Sequence, residues 1–305
     1  MSVARRIGAG RLIALAGLGL GLAVVALWLS GGLAGVERWA ATSQREVQNL
    51  MAGALQRLRA GEPGAAMALM ALCFGYGFVH AVGPGHGKLV IGSYGFGSQV
   101  PFARLAGLSV AASLAQAGTA IVLVWGGIAA LDLGREQLTA LSERHMADIS
   151  TALIGVVGLW LAWRGARMLR AQAAPVAAHE HHAACGCGHA HGPSPQQVMQ
   201  TRSFRDGLLV IAGIALRPCT GALFLLLLTW RMEIFAMGVA GTLAMGLGTA
   251  SVTLAVAALA VWARRGSVAL VPETGPWAGV ARWLPGGMQL AAGALIALVA
   301  VLVLI

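Results

Sequence analysis

Apolar runs long enough to cross a lipid bilayer recur along the chain, and they limit its fold more than any other feature. A helical crossing needs about 20 residues, and lipid offers no hydrogen-bond partners to a backbone that is neither helix nor closed barrel. Charged residues make up only 10% of the 305 positions, whereas soluble domains carry about 25%. The sequence therefore predicts an all-α polytopic membrane protein with about seven transmembrane helices, at residues 12–29, 64–82, 104–131, 149–163, 207–229, 234–262 and 286–305.

Lys and Arg residues are distributed unequally over the segments that connect these helices. With the N-terminus in the cytoplasm, 13 of the 21 basic residues fall on the cytoplasmic side. Cytoplasmic loops carry such an excess of positive charge, so this topology accounts for the net charge of +10 without a nucleic-acid partner. We predict that the first apolar run is a retained helix; a cleaved secretory signal is the alternative interpretation of its basic start.

A polar segment on the predicted external side also has helical periodicity. Between Gln44 and Ala60 the apolar residues recur at helical spacing, which is typical of an amphipathic helix. Such a helix lies against the membrane surface or against the helix bundle. The apolar positions are Val47, Leu50, Met51, Leu55 and Leu58.

Two short stretches resemble each other at a spacing of 134 residues, AVGPGHGKL at 81–89 and ALRPCTGAL at 215–223. Three helices per half is an odd number, so the two halves would have opposite orientations in the membrane, as in many secondary transporters. The sequence thus predicts four regions: an N-terminal helix with the external segment at 1–63, a first repeat at 64–170, a connecting loop at 171–205 and a second repeat at 206–305.

The stretch HAVGPGHGK cannot form a regular helix, because proline lacks an N–H donor and each glycine costs about 1 kcal/mol in a helix interior. Such an interruption is tolerated in a membrane only where protein or a polar cavity satisfies the freed backbone groups. A neutral imidazole beside it can bind zinc, copper, iron or nickel; the alternative is a histidine that only hydrogen-bonds a neighbouring helix. We predict His80 and His86 as metal ligands and give structural or gating roles to Gly83, Pro84, Gly85, Gly87 and Lys88.

The second half carries a matching interruption around Arg217, Pro218, Cys219 and Thr220. We expect Arg217 to be buried in mid-span and to donate to carbonyl groups freed by the break, while Pro218 and Thr220 shape it. Cys219 either completes the metal site as a soft ligand or packs beside the proline, whereas Cys73 is predicted to be a packing residue. Further polar residues either line the site or bond between helices, namely Ser113, Gln116, Thr119, Thr249, Ser251 and Thr253.

The connecting loop contains the stretch HEHHAACGCGHAH at residues 179–191. The topology places it in the cytoplasm, where thiols stay reduced. Tracts of this composition bind metal ions, and thiolate with imidazole favours zinc, copper or nickel over magnesium; a linker that binds metal without a role is the alternative. The predicted ligands are His179, His181, His182, Cys185, Cys187, His189 and His191.

The paired motifs HAVGPGHGK and LRPCTGAL resemble the signatures of NicO-type nickel/cobalt transporters, especially their efflux branch, within the LysE superfamily. The resemblance covers about residues 64–305. It implies Ni²⁺ or Co²⁺ as substrate, a location in the inner (plasma) membrane, and His80 and His86 as substrate ligands with Cys219 facing them.

These observations together predict a transporter and not an enzyme. We expect it to export Ni²⁺ or Co²⁺ from the cytoplasm, with the metal ion as its substrate and no cofactor. The sequence contains no G-x-x-x-x-G-K-[ST] motif, so an ion gradient is the expected driving force. Uptake of the same ions is one alternative, and a transmembrane thiol-disulfide electron carrier is an alternative of another class.

Overall fold

The structure is a computed structural model, and it describes residues 30, 32–83, 86–97, 100–131, 135–173, 207–269 and 278–304. This part of the chain is helical. In chain order the helices are α1 (Gly32–Arg59), α2 (Ala65–Val82), α3 (His86–Gly97), α4 (Phe102–Leu131), α5 (Arg135–Ala140), a π-helical segment (Leu141–Met146), α6 (Ala147–Ala173), α7 (Gly207–Ala215), α8 (Thr220–Arg231), α9 (Phe235–Ala269) and α10 (Ala278–Leu304).

Most of the predicted membrane crossings have a helical counterpart, which confirms the all-α membrane fold. Five helices among the described residues are long and apolar enough to cross a bilayer, and the α7–α8 pair, bent by 56°, makes a sixth if it counts as one span. The first predicted crossing, at 12–29, lies outside the described residues. The five are Ala65–Val82, Phe102–Ile128, Glu136–Ala173, Phe235–Gly266 and Trp283–Leu304.

Two boundaries differ from the prediction. The chain does not become a loop after residue 82; it forms α3, in which Ile91 and Tyr94 are almost completely buried. This helix has only 12 residues, too few to stand out as a crossing. The crossing predicted at 149–163 is also longer than expected, because α6 continues to Ala173.

The two helices that follow the interruptions correspond to each other in the sequence. Both α3 and α8 have 12 residues, and they begin 134 positions apart, at His86 and Thr220. These are positions that the predicted repeat pairs. The opposed orientation of the two halves stays a prediction.

Two apolar cores hold the bundle together. In one, α1 and α2 pack against α8 and α9, and Met51, Leu55 and Tyr76 are fully buried there. In the other, α3 packs against α6, α9 and α10 around Ile91 and Leu161. The predicted amphipathic helix is thus part of α1 and lies against the bundle.

The contact between α2 and α9 is so close that it requires glycine. A Cβ atom added to Gly77 would overlap the backbone of Met245, and one added to Gly248 would overlap the backbone of Phe74. Neither neighbour is the flexible end of a side chain, so the helices would have to separate. Close approach through small residues is common between membrane helices.

We predict that Gly77→Ala lowers the thermal stability of the purified protein in detergent, because overpacking costs about 1–3 kcal/mol or more. Gly75→Ala is the matched control on the same helix, since nothing lies within 4 Å of the added Cβ. It should leave the midpoint unchanged or raise it. Equal midpoints for the two variants would contradict the described contact.

Candidate metal centre

A polar cavity of about 290 Å³ lies where the second interruption meets the end of α2. Its wall combines residues from five other helices with the 213–220 segment. The polar residues that line it are His80, Ser113, Gln116, Ser150, Arg217, Cys219, Thr220, Thr249 and Thr253. Eight of these nine, all except Ser150, were predicted from the sequence as site or lining positions, so the cavity brings together polar residues that are far apart along the chain.

Pro218 creates the second interruption, and side chains from other helices complete its hydrogen bonds. Proline has no N–H, so the carbonyl of Ile214 lacks its usual donor; it accepts from the N–H of Arg217 at 3.5 Å instead. That shift frees the carbonyl of Gly213, which accepts a hydrogen bond from the hydroxyl of Ser150 on α6.

The carbonyl of Arg217 is satisfied in a similar way. The side-chain amide of Gln116 on α4 donates to it at 2.7 Å. Freed backbone groups are costly in a membrane without such partners. The second interruption is therefore stabilised by residues of α4 and α6, both of which lie in the predicted first repeat.

The first interruption starts at Gly83, where α2 ends. Its φ of −56° and ψ of 158° are not helical, as expected for a residue that precedes a proline. Gly83 packs close to Ala40 and Gln44 of α1. The end of α2 thus lies against α1.

His80 and Cys219 both line the cavity. The imidazole lies in the last turn of α2, and the thiol belongs to the residue that precedes the first turn of α8. The two side chains are within hydrogen-bonding reach of each other. An imidazole and a thiol thus meet at the two interruptions, as a shared metal site requires.

Three α1 and α2 side chains surround this pair. Nδ1 of His80 lies 3.1 Å from Oε1 of Gln44, and the imidazole stacks on Tyr76 with a centroid distance of 6.0 Å. Gln48 donates to the hydroxyl of Tyr76 at 3.3 Å. That hydroxyl also lies within reach of Cys219 and Thr220.

The structure brings together only some of the predicted site residues. Cys219 lines the cavity beside His80, with Pro218 and Thr220. The helix α3 begins at His86 and continues through Gly87 and Lys88, but the side chains of His86 and Lys88 lie outside what is described. Also outside are Pro84, Gly85 and the loop ligands His179, His181, His182, Cys185, Cys187, His189 and His191.

Arg217 differs from the prediction. We expected a buried guanidinium in mid-span, but the residue is exposed at the cavity, and it is its backbone carbonyl that takes part in the hydrogen bonding of the break. The cavity opens widely enough to leave the side chain accessible. An arginine there needs no buried acceptor.

Of the six polar candidates in the third and sixth spans, four line the cavity: Ser113, Gln116, Thr249 and Thr253. Thr119 and Ser251 instead bond to carbonyls of their own helices, those of Ala115 and Gly248. Cys73 packs in the first core with its sulfur 3.8 Å from that of Met51. Cys73 and Cys219 are both free thiols.

Sequence reasoning missed four residues of this centre, Gln44, Gln48, Tyr76 and Ser150. The two glutamines interrupt the apolar face of α1 four residues apart, which is the only sequence signal for them. In the part of the chain that the structure describes, no three His, Cys, Asp or Glu side chains form a potential metal site. Among the predicted ligands whose side chains the structure describes, His80 and Cys219 are the two that it brings together at the cavity.

Interrupted helices around a polar cavity, in a bundle of apolar helices, define a polytopic membrane protein of the transporter class. The family model NicO, described as "High-affinity nickel-transport protein", matches residues 66–185 and 165–305. The chain belongs to this family.

A curated relative from Haemophilus influenzae is 31% identical over 247 residues, which is 75% of this chain and 76% of the relative. Its name is "Putative nickel/cobalt efflux system". No solved structure matches the chain.

Removing the hydroxyl that supports the second break should destabilise the protein. We expect Ser150→Ala to cost about 1–3 kcal/mol, because the carbonyl of Gly213 loses its donor in a buried setting. Thr151→Val is the matched control: Thr151 is also buried, but its hydroxyl bonds only to the carbonyl of Ala147 in its own helix. Thermal unfolding in detergent compares the two, and a midpoint for Ser150→Ala as high as that of Thr151→Val would argue against this support.

Proposed function

We propose that this chain exports Ni²⁺ or Co²⁺ from the cytoplasm across the inner membrane. Family membership gives nickel/cobalt transport as the general activity. The observation that carries the site is the meeting of His80 and Cys219 at the cavity between the interruptions. Polar groups placed inside a membrane at such a cost mark the pathway of a substrate.

The imidazole of His80 and the thiol of Cys219 are suitable ligands for Ni²⁺ and Co²⁺. Imidazole suits nickel, copper and zinc, thiolate favours soft and borderline ions, and carboxylate oxygens are what magnesium and calcium prefer. The helices that line the cavity contain no Asp or Glu from residue 63 to 131, from 149 to 179 or from 207 to 232. A cavity with this donor set discriminates against the abundant hard cations of the cytoplasm.

A metal site with a small number of protein ligands is also suitable for a carrier. Conduction and transport require binding that is strong enough to load and weak enough to release. His80 and Cys219 leave coordination positions for water or for His86, which begins the helix after the first break. We propose that His86 joins them during transport.

The direction of transport rests on two supports. The relative from Haemophilus influenzae is named an efflux system. The stretch at 179–191, with five His and two Cys, falls on the side that the charge distribution predicts to be cytoplasmic. A capture loop on that side raises the local metal concentration at the intake of an exporter. We propose that a proton gradient drives export.

Substitution of the central pair should abolish export. Cells without the gene should become sensitive to nickel or cobalt, and His80→Ala, His86→Ala or Cys219→Ser should fail to restore tolerance because the ion loses a ligand. His145→Ala is the control, since this histidine is exposed outside the cavity. Labelled nickel should accumulate in cells that carry one of these variants, because they cannot export it. If cells with the intact protein accumulate more nickel than cells without it, the protein is an uptake system.

The capture loop should act on intake alone. Deletion of residues 179–191 should raise the cytoplasmic metal concentration needed for half-maximal export and leave the maximal rate nearly unchanged. Inside-out vesicles, whose outer face is the cytoplasmic one, measure both quantities when the initial rate is followed over a range of external nickel concentrations. A loss of maximal rate equal to that of His80→Ala would contradict a capture role and make the loop part of the translocation step.

A further inference from the structure

The amphipathic helix α1 reaches the metal centre, although the family match begins only at residue 66. Gln44 lies on its buried side, and its Oε1 is 3.1 Å from Nδ1 of His80, 36 residues further along the chain. An amide oxygen only accepts hydrogen bonds. Nδ1 therefore carries the proton, and the lone pair of the neutral imidazole lies on Nε2, the nitrogen that would bind a metal ion.

The second glutamine acts on the opposite ligand through a tyrosine. Gln48 donates to the Tyr76 hydroxyl at 3.3 Å, and Tyr76 is only 1% exposed. The tyrosine ring lies against Gly221, where a Cβ atom would overlap it. With its hydroxyl within reach of Cys219, the ring fixes the thiol against the first turn of α8.

Packing alone does not explain the two amides. The rest of the buried face of α1 is apolar, with Ala40, Met51, Ala54 and Leu55 almost fully buried. A polar amide placed on such a face costs free energy unless it finds a partner. Gln44 and Gln48 are four residues apart, so both lie on this face, and each one bonds to a group of the metal centre.

We propose that α1 is a positioning element of the metal centre. Gln44 sets the tautomer and orientation of His80, and Gln48 holds Tyr76 against Cys219. This inference rests on the proposed His80–Cys219 site and adds to it a helix outside the matched family region. Partners that orient the ligands of a metal typically change affinity by about 10–100-fold when they are removed.

The test uses the full-length protein with Cys185→Ser and Cys187→Ser, which removes the thiols of the loop. Co²⁺ is the probe, because its thiolate charge-transfer absorption reports a sulfur ligand. We expect Gln44→Leu to weaken the Co²⁺ affinity measured by this band about 10–100-fold. Gln44→Glu keeps an acceptor of similar length and should retain the affinity and the band.

Gln56→Leu is the matched control, because Gln56 is on the same helix but exposed. It should bind Co²⁺ as the parent does. If Gln44→Leu has the affinity and spectrum of the parent protein, the positioning role is overturned. A loss of Co²⁺ binding in His80→Ala would at the same time uphold the site itself. Equal losses in Gln44→Leu and Gln44→Glu, with equal falls in thermal stability, would also overturn it and reduce α1 to a packing element.

The proposed action of Gln48 through Tyr76 is tested separately, in the same protein with Cys185→Ser and Cys187→Ser. Gln48→Leu and Tyr76→Phe interrupt one chain of contacts, so the double variant should show no larger shift of the charge-transfer band than either single variant. Additive shifts would mean that Gln48 acts independently of Tyr76, which would contradict the proposal that Gln48 holds Tyr76 against Cys219. If His80→Ala leaves the band and the affinity unchanged, the proposed site itself fails, and a role of α1 in positioning His80 fails with it. The thermal stability of the Gln44 and Gln48 variants then shows whether α1 is a packing element.

Discussion

A broken helix in a membrane must find partners for the backbone groups that the break releases, and this requirement organises the whole protein. Pro218 removes one donor, and the resulting shift frees the carbonyl of Gly213. Ser150 and Gln116 supply the missing hydrogen bonds from α6 and α4. The same side chains line the cavity, so the groups that make the break possible also make its surroundings polar.

The proposed metal centre consequently draws on three parts of the chain. His80 comes from the end of α2, Cys219 from the start of α8, and Gln44 and Gln48, which contact His80 and Tyr76, come from α1. A rigid-body movement of one half against the other would change the distance between the two ligands. Alternating access in inverted-repeat transporters works through movements of this kind around a fixed site.

Much of the fold could be predicted from the sequence, because length and hydropathy define a membrane helix and Pro218 marks its interruption. The helix α3 was missed, since its 12 residues are too short to be recognised as a crossing and its burial depends on distant helices. The residues that meet at the cavity could be predicted only in part, and their role as metal ligands stays a prediction. His80 and Cys219 follow from motif chemistry, whereas the contacts of Gln44 and Gln48 join residues 36 and 28 positions apart. Helical spacing identifies the buried face of α1 but not what that face meets.

In the proposed site, one imidazole and one thiolate from the two interruptions bind the same ion. X-ray absorption at the nickel edge tests this directly, on the full-length protein with Cys185→Ser and Cys187→Ser, saturated with Ni²⁺. We expect a sulfur neighbour together with imidazole, and loss of the sulfur neighbour in Cys219→Ser. A nickel environment without sulfur, or a sulfur neighbour that persists in Cys219→Ser, would contradict it.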